Sequence, residues 1–152
     1  MSPIVGVDLG ERRIGVAVAS EVTDVARPLG TLRRATTVAG DLEALRVLLG
    51  GADPDELVVG LPLEASGLEG PQVRLTRLWA GDVERLTGWP IRFRDERLSS
   101  HLAEQRLGPM KRGRSGGPPT PTQRRAYRAR VDREAAAIIL QDELDARVHG
   151  AT

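Results

Sequence analysis

At 152 residues, with 40% hydrophobic and 28% charged side chains, the chain is sized for a single domain with its own core, outside the low-hydrophobicity, high-charge regime of disorder. It has no cysteine, which excludes disulfides, thiolate chemistry and Cys-containing zinc sites and suits a cytoplasmic protein; it shows neither a signal-peptide pattern nor the run of about 18 apolar residues needed to cross a bilayer. The net charge of +1 hides 21 Arg against the single Lys111, and the segment Arg106 to Arg133 holds nine basic residues and one acid, Asp132.

Ile4 to Val7 is a short apolar run ending at Asp8, and Ile14 to Ala19 is a second run after a polar turn, so the two predict a buried hairpin. Pro28 to Leu32 predicts a third strand beside it. Val38, Leu42, Leu45 and Leu49 then recur on one helical face, with Thr36 or Thr37 as N-cap and Gly50-Gly51 as the stop. Leu57 to Val59 predicts a strand, and Leu75, Trp79, Val83 and Leu86 mark a second helix ended by Gly88. Pro90 to Arg94 alternates as a strand, Ser99 or Ser100 caps a third helix through about Leu107, and the Gly, Pro and Ser content of residues 108–121 predicts a mobile basic loop. The last helix spans about Thr122 to Arg147 and buries Ala135, Ile138, Ile139 and Leu144. This order predicts one α/β domain over residues 1–152, a five-stranded mixed sheet flanked by helices.

Three carboxylates interrupt this pattern. Asp8 closes a hydrophobic strand, where it either caps the Gly10 turn or serves a site; Asp95-Glu96 ends another strand in the same way. Asp132 shares a helical stripe with Ala135, Ala136 and Ile139, so it either pairs with a neighbour such as Arg128 or points at the strand ends over small residues that admit close packing. Three converging carboxylates are costly to ionise together without a cation, and hard oxygen donors suit Mg²⁺ or Mn²⁺. One or two such ions fit phosphodiester hydrolysis. Lys111, Arg112, Arg114, Arg124, Arg125, Arg128 and Arg130 border Asp132 and offer a positive margin to a polyanion. His101 and His149 lack metal-pair spacing, and Trp79, Trp89, Phe93 and Tyr127 read as packing residues, Tyr127 with a second option of touching nucleic acid.

Four segments in order carry a family resemblance: Gly6-Val7-Asp8-Leu9-Gly10 through Arg13-Ile14-Gly15-Val16-Ala17; Val58-Val59-Gly60-Leu61-Pro62 with Gly67; Asp95-Glu96-Arg97-Leu98-Ser99; and Asp132 with Ala135-Ala136 and Ile139-Leu140-Gln141. The chain resembles the YqgF, or RuvX-like, family of the ribonuclease H-like superfamily, associated with Holliday junction resolution and with processing of pre-16S ribosomal RNA. The resemblance implies a ribonuclease H-like fold, a metal-dependent endonuclease, catalytic and metal-binding acids at Asp8, Glu96 and Asp132, and nucleic-acid contacts from Arg13 and the basic loop. The choice of Glu96 over Asp95 rests on the resemblance, because alternation from Ile91 and Phe93 favours Asp95 facing inward. The Gly113 to Thr122 stretch is longer and richer in Pro and Gly than the family's usual loop. Two other functions fit parts of the chain: a nucleic-acid-binding module without catalysis, and an ATP-dependent phosphotransferase suggested by Gly6 to Gly10, against which a single lobe argues. Two-fold junction cutting would be simplest for a homodimer.

Overall fold

The structure, a computed structural model, describes residues 3–20, 22, 24–96, 98–113 and 116–150. Strands β1 (Ile4–Leu9), β2 (Arg13–Ala19) and β3 (Arg27–Arg33) form an antiparallel meander, in which Asp8 lies opposite Gly15 and Arg13 opposite Arg33. Helix α1 (Val38–Leu48) leads to β4 (Glu56–Leu61), which pairs parallel with β1, and helix α2 (Pro71–Thr87) leads to β5 (Ile91–Asp95), parallel to β4. Helices α3 (Ser99–Leu107) and α4 (Pro121–His149) complete the chain, and the sheet order is β3-β2-β1-β4-β5. The five-stranded mixed sheet and its crossovers agree with the sequence-based expectation.

Alternation sorts the side chains by face. Val5, Val7, Ile14, Val16, Leu57 and Val59 turn towards α1 and α2, where they meet Leu42, Leu45, Trp79 and Val83. The opposite face is built from small residues. There Ala17, Ala19 and Val58 pack against Ala136, Ile139 and Leu140 of α4, while Ala103 of α3 packs on Val131, Ala135 and Ile138.

Two local expectations are corrected. The buried stripe of α2 is Val73, Thr76, Trp79, Ala80 and Val83, whereas Leu75 and Leu86 are exposed. Trp79 and Val83 belong to both stripes, and Trp79 is anchored by a buried polar contact: its indole N–H donates to Asp41 Oδ2 at 3.1 Å, and Asp41 also accepts from the Ala35 backbone N–H at 2.7 Å. Neither Ser99 nor Ser100 is the N-cap of α3. Leu98 occupies that position without a side-chain cap bond, and Ser99 is the first helical residue, its hydroxyl committed to Glu96. Thr37 does cap α1, and Thr120 forms a reciprocal capping box with Gln123 at the start of α4.

Candidate active site

The site stands where the C-terminal ends of β1 and β5 approach α4. Asp8 shares the parity of Gly6 and Ile4, and so lies on the face covered by α4. Asp95 has the parity of Ile91 and Phe93, which pack in the core on the opposite face; Glu96, one residue further, returns to the side of Asp8. Glu96, rather than Asp95, is therefore the neighbour that meets Asp8. The Glu96 backbone N–H donates to the Leu61 carbonyl at 3.1 Å, and the Ser99 hydroxyl donates to the Glu96 carbonyl at 2.9 Å and to its carboxylate Oε2 at 3.4 Å.

Asp8 and Glu96 are hydrogen-bonded to each other. Burial raises both acids, and the Glu96 carboxyl, raised further by the charge and hydrogen bond of Asp8, is pushed up to about 10. Asp8 is pushed up to about 6, because burial outweighs the bond received from Glu96, and the negative charge of Asp132 adds to the rise. At neutral pH the pair therefore shares one proton.

Asp132 is near enough to act on Asp8 through its charge, yet its carboxylate is held by Arg13, whose Nε donates to Oδ2 at 2.5 Å. The partner is Arg13 of β2, across 119 residues of sequence, rather than Arg128 on its own helix. Among the described residues no group of three or more acids or histidines is arranged to hold a metal ion. Two of the three carboxylates are in contact and the third is turned onto a guanidinium. The physical reason is electrostatic: with a proton between Asp8 and Glu96, the nearest full positive charge for Asp132 is Arg13.

Three glycines make this geometry sterically feasible. A Cβ on Gly15 would stand 1.9 Å from the Asp132 carbonyl oxygen, so α4 lies directly on the backbone of β2 beside Asp8. A Cβ on Gly6 would meet Ala136 O at 2.8 Å, and one on Gly60 would meet Glu96 Oε2 at 2.8 Å and Ile139 Cδ1 at 2.6 Å. Isolated glycines inside apolar strands are the sequence signal for these contacts, since such positions mark close backbone approach. Ser99 carries no such signal.

The basic residues separate into groups. Arg13, Arg125 and Arg128 line one cleft of about 720 Å³, while the guanidinium of Arg124 donates back to the Pro119 carbonyl at 2.6 Å and that of Arg112 to the Gly116 carbonyl at 3.2 Å. Lys111 is exposed, and Arg114 lies outside the described residues. Tyr127 is occupied structurally: its hydroxyl donates to the Gly108 carbonyl at 2.7 Å and its ring packs on the α3–α4 contact.

The sequence profile of the RuvX family, described as Holliday junction resolvase, matches residues 2–146. The chain belongs to the RuvX family, a nuclease family. A protein of Anaeromyxobacter sp. (strain K) named "Putative pre-16S rRNA nuclease" is 46% identical to this RuvX-family chain over 142 residues, covering 93% of it and 96% of the relative. A protein of the same name from Paracoccus denitrificans is 40% identical over 142 residues, covering 93% of this chain and 83% of its own. Among solved structures, Thermus thermophilus RuvC superposes with a TM-score of 0.51 at 15% identity, covering 97% of this chain and 96% of that one. The RuvC of T. thermophilus in complex with a Holliday junction substrate gives a TM-score of 0.50 at 16% identity, over 97% and 96%. At these identities the likeness is one of fold, and the fold is ribonuclease H-like.

Proposed function

We propose that this RuvX-family chain is a divalent-metal-dependent endonuclease that hydrolyses phosphodiester bonds in structured nucleic acid, with the pre-16S rRNA of its relatives' name and the Holliday junction of the family description as its candidate substrates. The observation that carries the reading is the contact between the Asp8 and Glu96 carboxyls, with the charge of Asp132 beside it. Two half-buried carboxyls in contact are a hard-oxygen donor set of the type that Mg²⁺ or Mn²⁺ takes. The residues fit the ion as a pair: Asp8 and Glu96 would hold it, with Asp132, now neutralised by Arg13, as the third acid. Such an ion would supply the Lewis acid for attack of water on the phosphate.

The chain's own groups do the rest. Ser99 fixes the Glu96 carboxylate, Gly60 leaves room for it over β4, and Arg13 stands between the acids and the arginine-lined cleft, where it can meet a phosphate. Arg125 and Arg128 present further positive charge in the same cleft. The test is a cleavage screen of the purified protein with Mg²⁺ or Mn²⁺ against precursor 16S rRNA, four-way DNA junctions, duplex and single strands. Cleavage of one structured substrate, stopped by chelator, is the expected result. Salt-dependent binding with no cleavage of any substrate would instead make the chain a binding module whose acids are structural.

A further inference from the structure

The arginine-lined cleft contains more charge than the α4 cluster brings to it. Arg12 of the β1–β2 turn and Arg33 at the end of β3 line it together with Arg13, Arg34, Arg125 and Arg128, against a single acid, Glu11. Two of these arginines are already committed: Arg13 to Asp132, and Arg34 to the buried Asp41 at 3.2 Å and the Gly10 carbonyl at 2.8 Å. Among the described residues the other four have no acid partner; Arg125 donates only to the Thr122 hydroxyl, at 3.4 Å.

The register sharpens the point. Arg13 and Arg33 are directly opposite across β2 and β3; Arg13 is neutralised by Asp132, and Arg33 beside it is left without an acid partner among the described residues. The walls are fixed: Thr31 donates its hydroxyl to the Ala129 carbonyl at 2.5 Å, tying α4 to β3 along the floor of the cleft. The other side of the carboxylate pair has the reverse character. There a second cleft, of about 630 Å³, is lined by Asp95, Glu96 and Asp142 between apolar walls that include Leu63, Leu102 and Ile138. No Lys or Arg is among its described lining residues.

We propose that Arg12 and Arg33 are nucleic-acid-binding residues, and that the substrate's phosphate backbone leaves the Asp8–Glu96 site on one side only, through the cleft between the β2–β3 edge and the start of α4. The proposal rests on the nucleic-acid reading above and extends it to two residues outside the basic cluster of residues 106–133. An extended run of diester phosphates satisfies four guanidinium groups that lack an acid partner among the described residues, and the cleft beyond Glu96, with no described Lys or Arg in its lining, offers the backbone no equivalent path.

The test is binding without divalent ions, read by fluorescence anisotropy of a labelled four-way DNA junction and a labelled hairpin RNA across a salt series. Both arginines are exposed, so R12A/R33A should melt like the wild type. The slope of log Kd against log salt should fall by about 0.7 to 0.9 for each phosphate that is no longer neutralised, and R12K/R33K should restore most of it. R85A, on the outer side of α2, is the control and should leave the slope unchanged. An unchanged slope in R12A/R33A, or an equal loss in R85A, overturns the proposal. An unchanged slope together with intact Mn²⁺-dependent cleavage removes the cleft and keeps the nuclease; a reduced slope with no cleavage by the wild type keeps the cleft and removes hydrolysis.

Discussion

Asp8 and Glu96 hold protons that the unfolded chain would release, and this sets their effect on stability. A folded-state pKa raised from ordinary values of 3.8 and 4.5 to about 6 and about 10 means that the shared contribution is full below the ordinary values and is lost as pH rises through the folded ones. In the presence of chelator, the melting temperature should therefore decline from about pH 5 to pH 8, and Mg²⁺ or Mn²⁺ should raise it more at the upper end than at the lower. A flat profile would mean that the pair is hydrated and not strained. At pH 8 in chelator, Asp8→Asn should gain about 1 to 2 kcal/mol, a few degrees of melting temperature, because it removes the poorly hydrated negative charge that Asp8 carries while Glu96 keeps its proton. The same substitution should lower cleavage by roughly a hundredfold or more, since the negative charge that holds the ion is gone, while metal-free affinity for nucleic acid persists. Asp8→Asn with full cleavage would take Asp8 out of the mechanism.

At the scale of elements, α4 is placed by contact with bare backbone. Gly15→Ala should cost more than about 2 kcal/mol or displace α4, because neither the Asp132 carbonyl nor the β2 backbone can give way by the distance a methyl needs. Urea unfolding checks the cost, and cleavage measured where the variant is still folded checks the displacement; a variant as stable and active as wild type would show that α4 does not rest on Gly15. This contact also explains what the sequence could convey. The hairpin, the helix of Val38 and the long final helix were legible because each has one hydrophobic period and, at Thr37, a capping side chain. The α2 rotation was not legible, since Leu75 and Leu86 offered a competing apolar stripe that shares Trp79 and Val83 with the buried one. Asp8 and Asp132 stood out as acids in apolar surroundings. Their partners did not: pairing of Asp132 with Arg13 depends on how α4 crosses β2, and the role of Ser99 on the chain bending at Glu96.

Across the whole molecule, α4 is fastened along much of its length. Beyond the glycine seat and the Thr31–Ala129 bond, the Ala26 N–H donates to Gln141 Oε1 at 2.8 Å, and the buried Glu143 accepts from Arg147 at 2.8 Å and lies 3.6 Å from both Arg92 and Arg94. The connection from Gly108 to Thr120 is bonded to α4 through Gln123, Arg124 and Tyr127 near its start, ahead of Asp132. The position of Asp132 relative to Asp8 is set by the attachments to the sheet rather than by the length of that connection. Inserting two to four Gly or Ser residues between Gly116 and Pro118 should leave the thermal transition within about 0.5 kcal/mol, since loop-closure entropy grows only with the logarithm of length, and should leave cleavage intact. A large loss of activity on such insertion would show that the connection itself steers the helix. The sheet and its glycines act as a jig for Asp8, Glu96 and Asp132, so that, on the proposed function, the basic connection beside the site can change in length and composition without moving the acids that would do the chemistry.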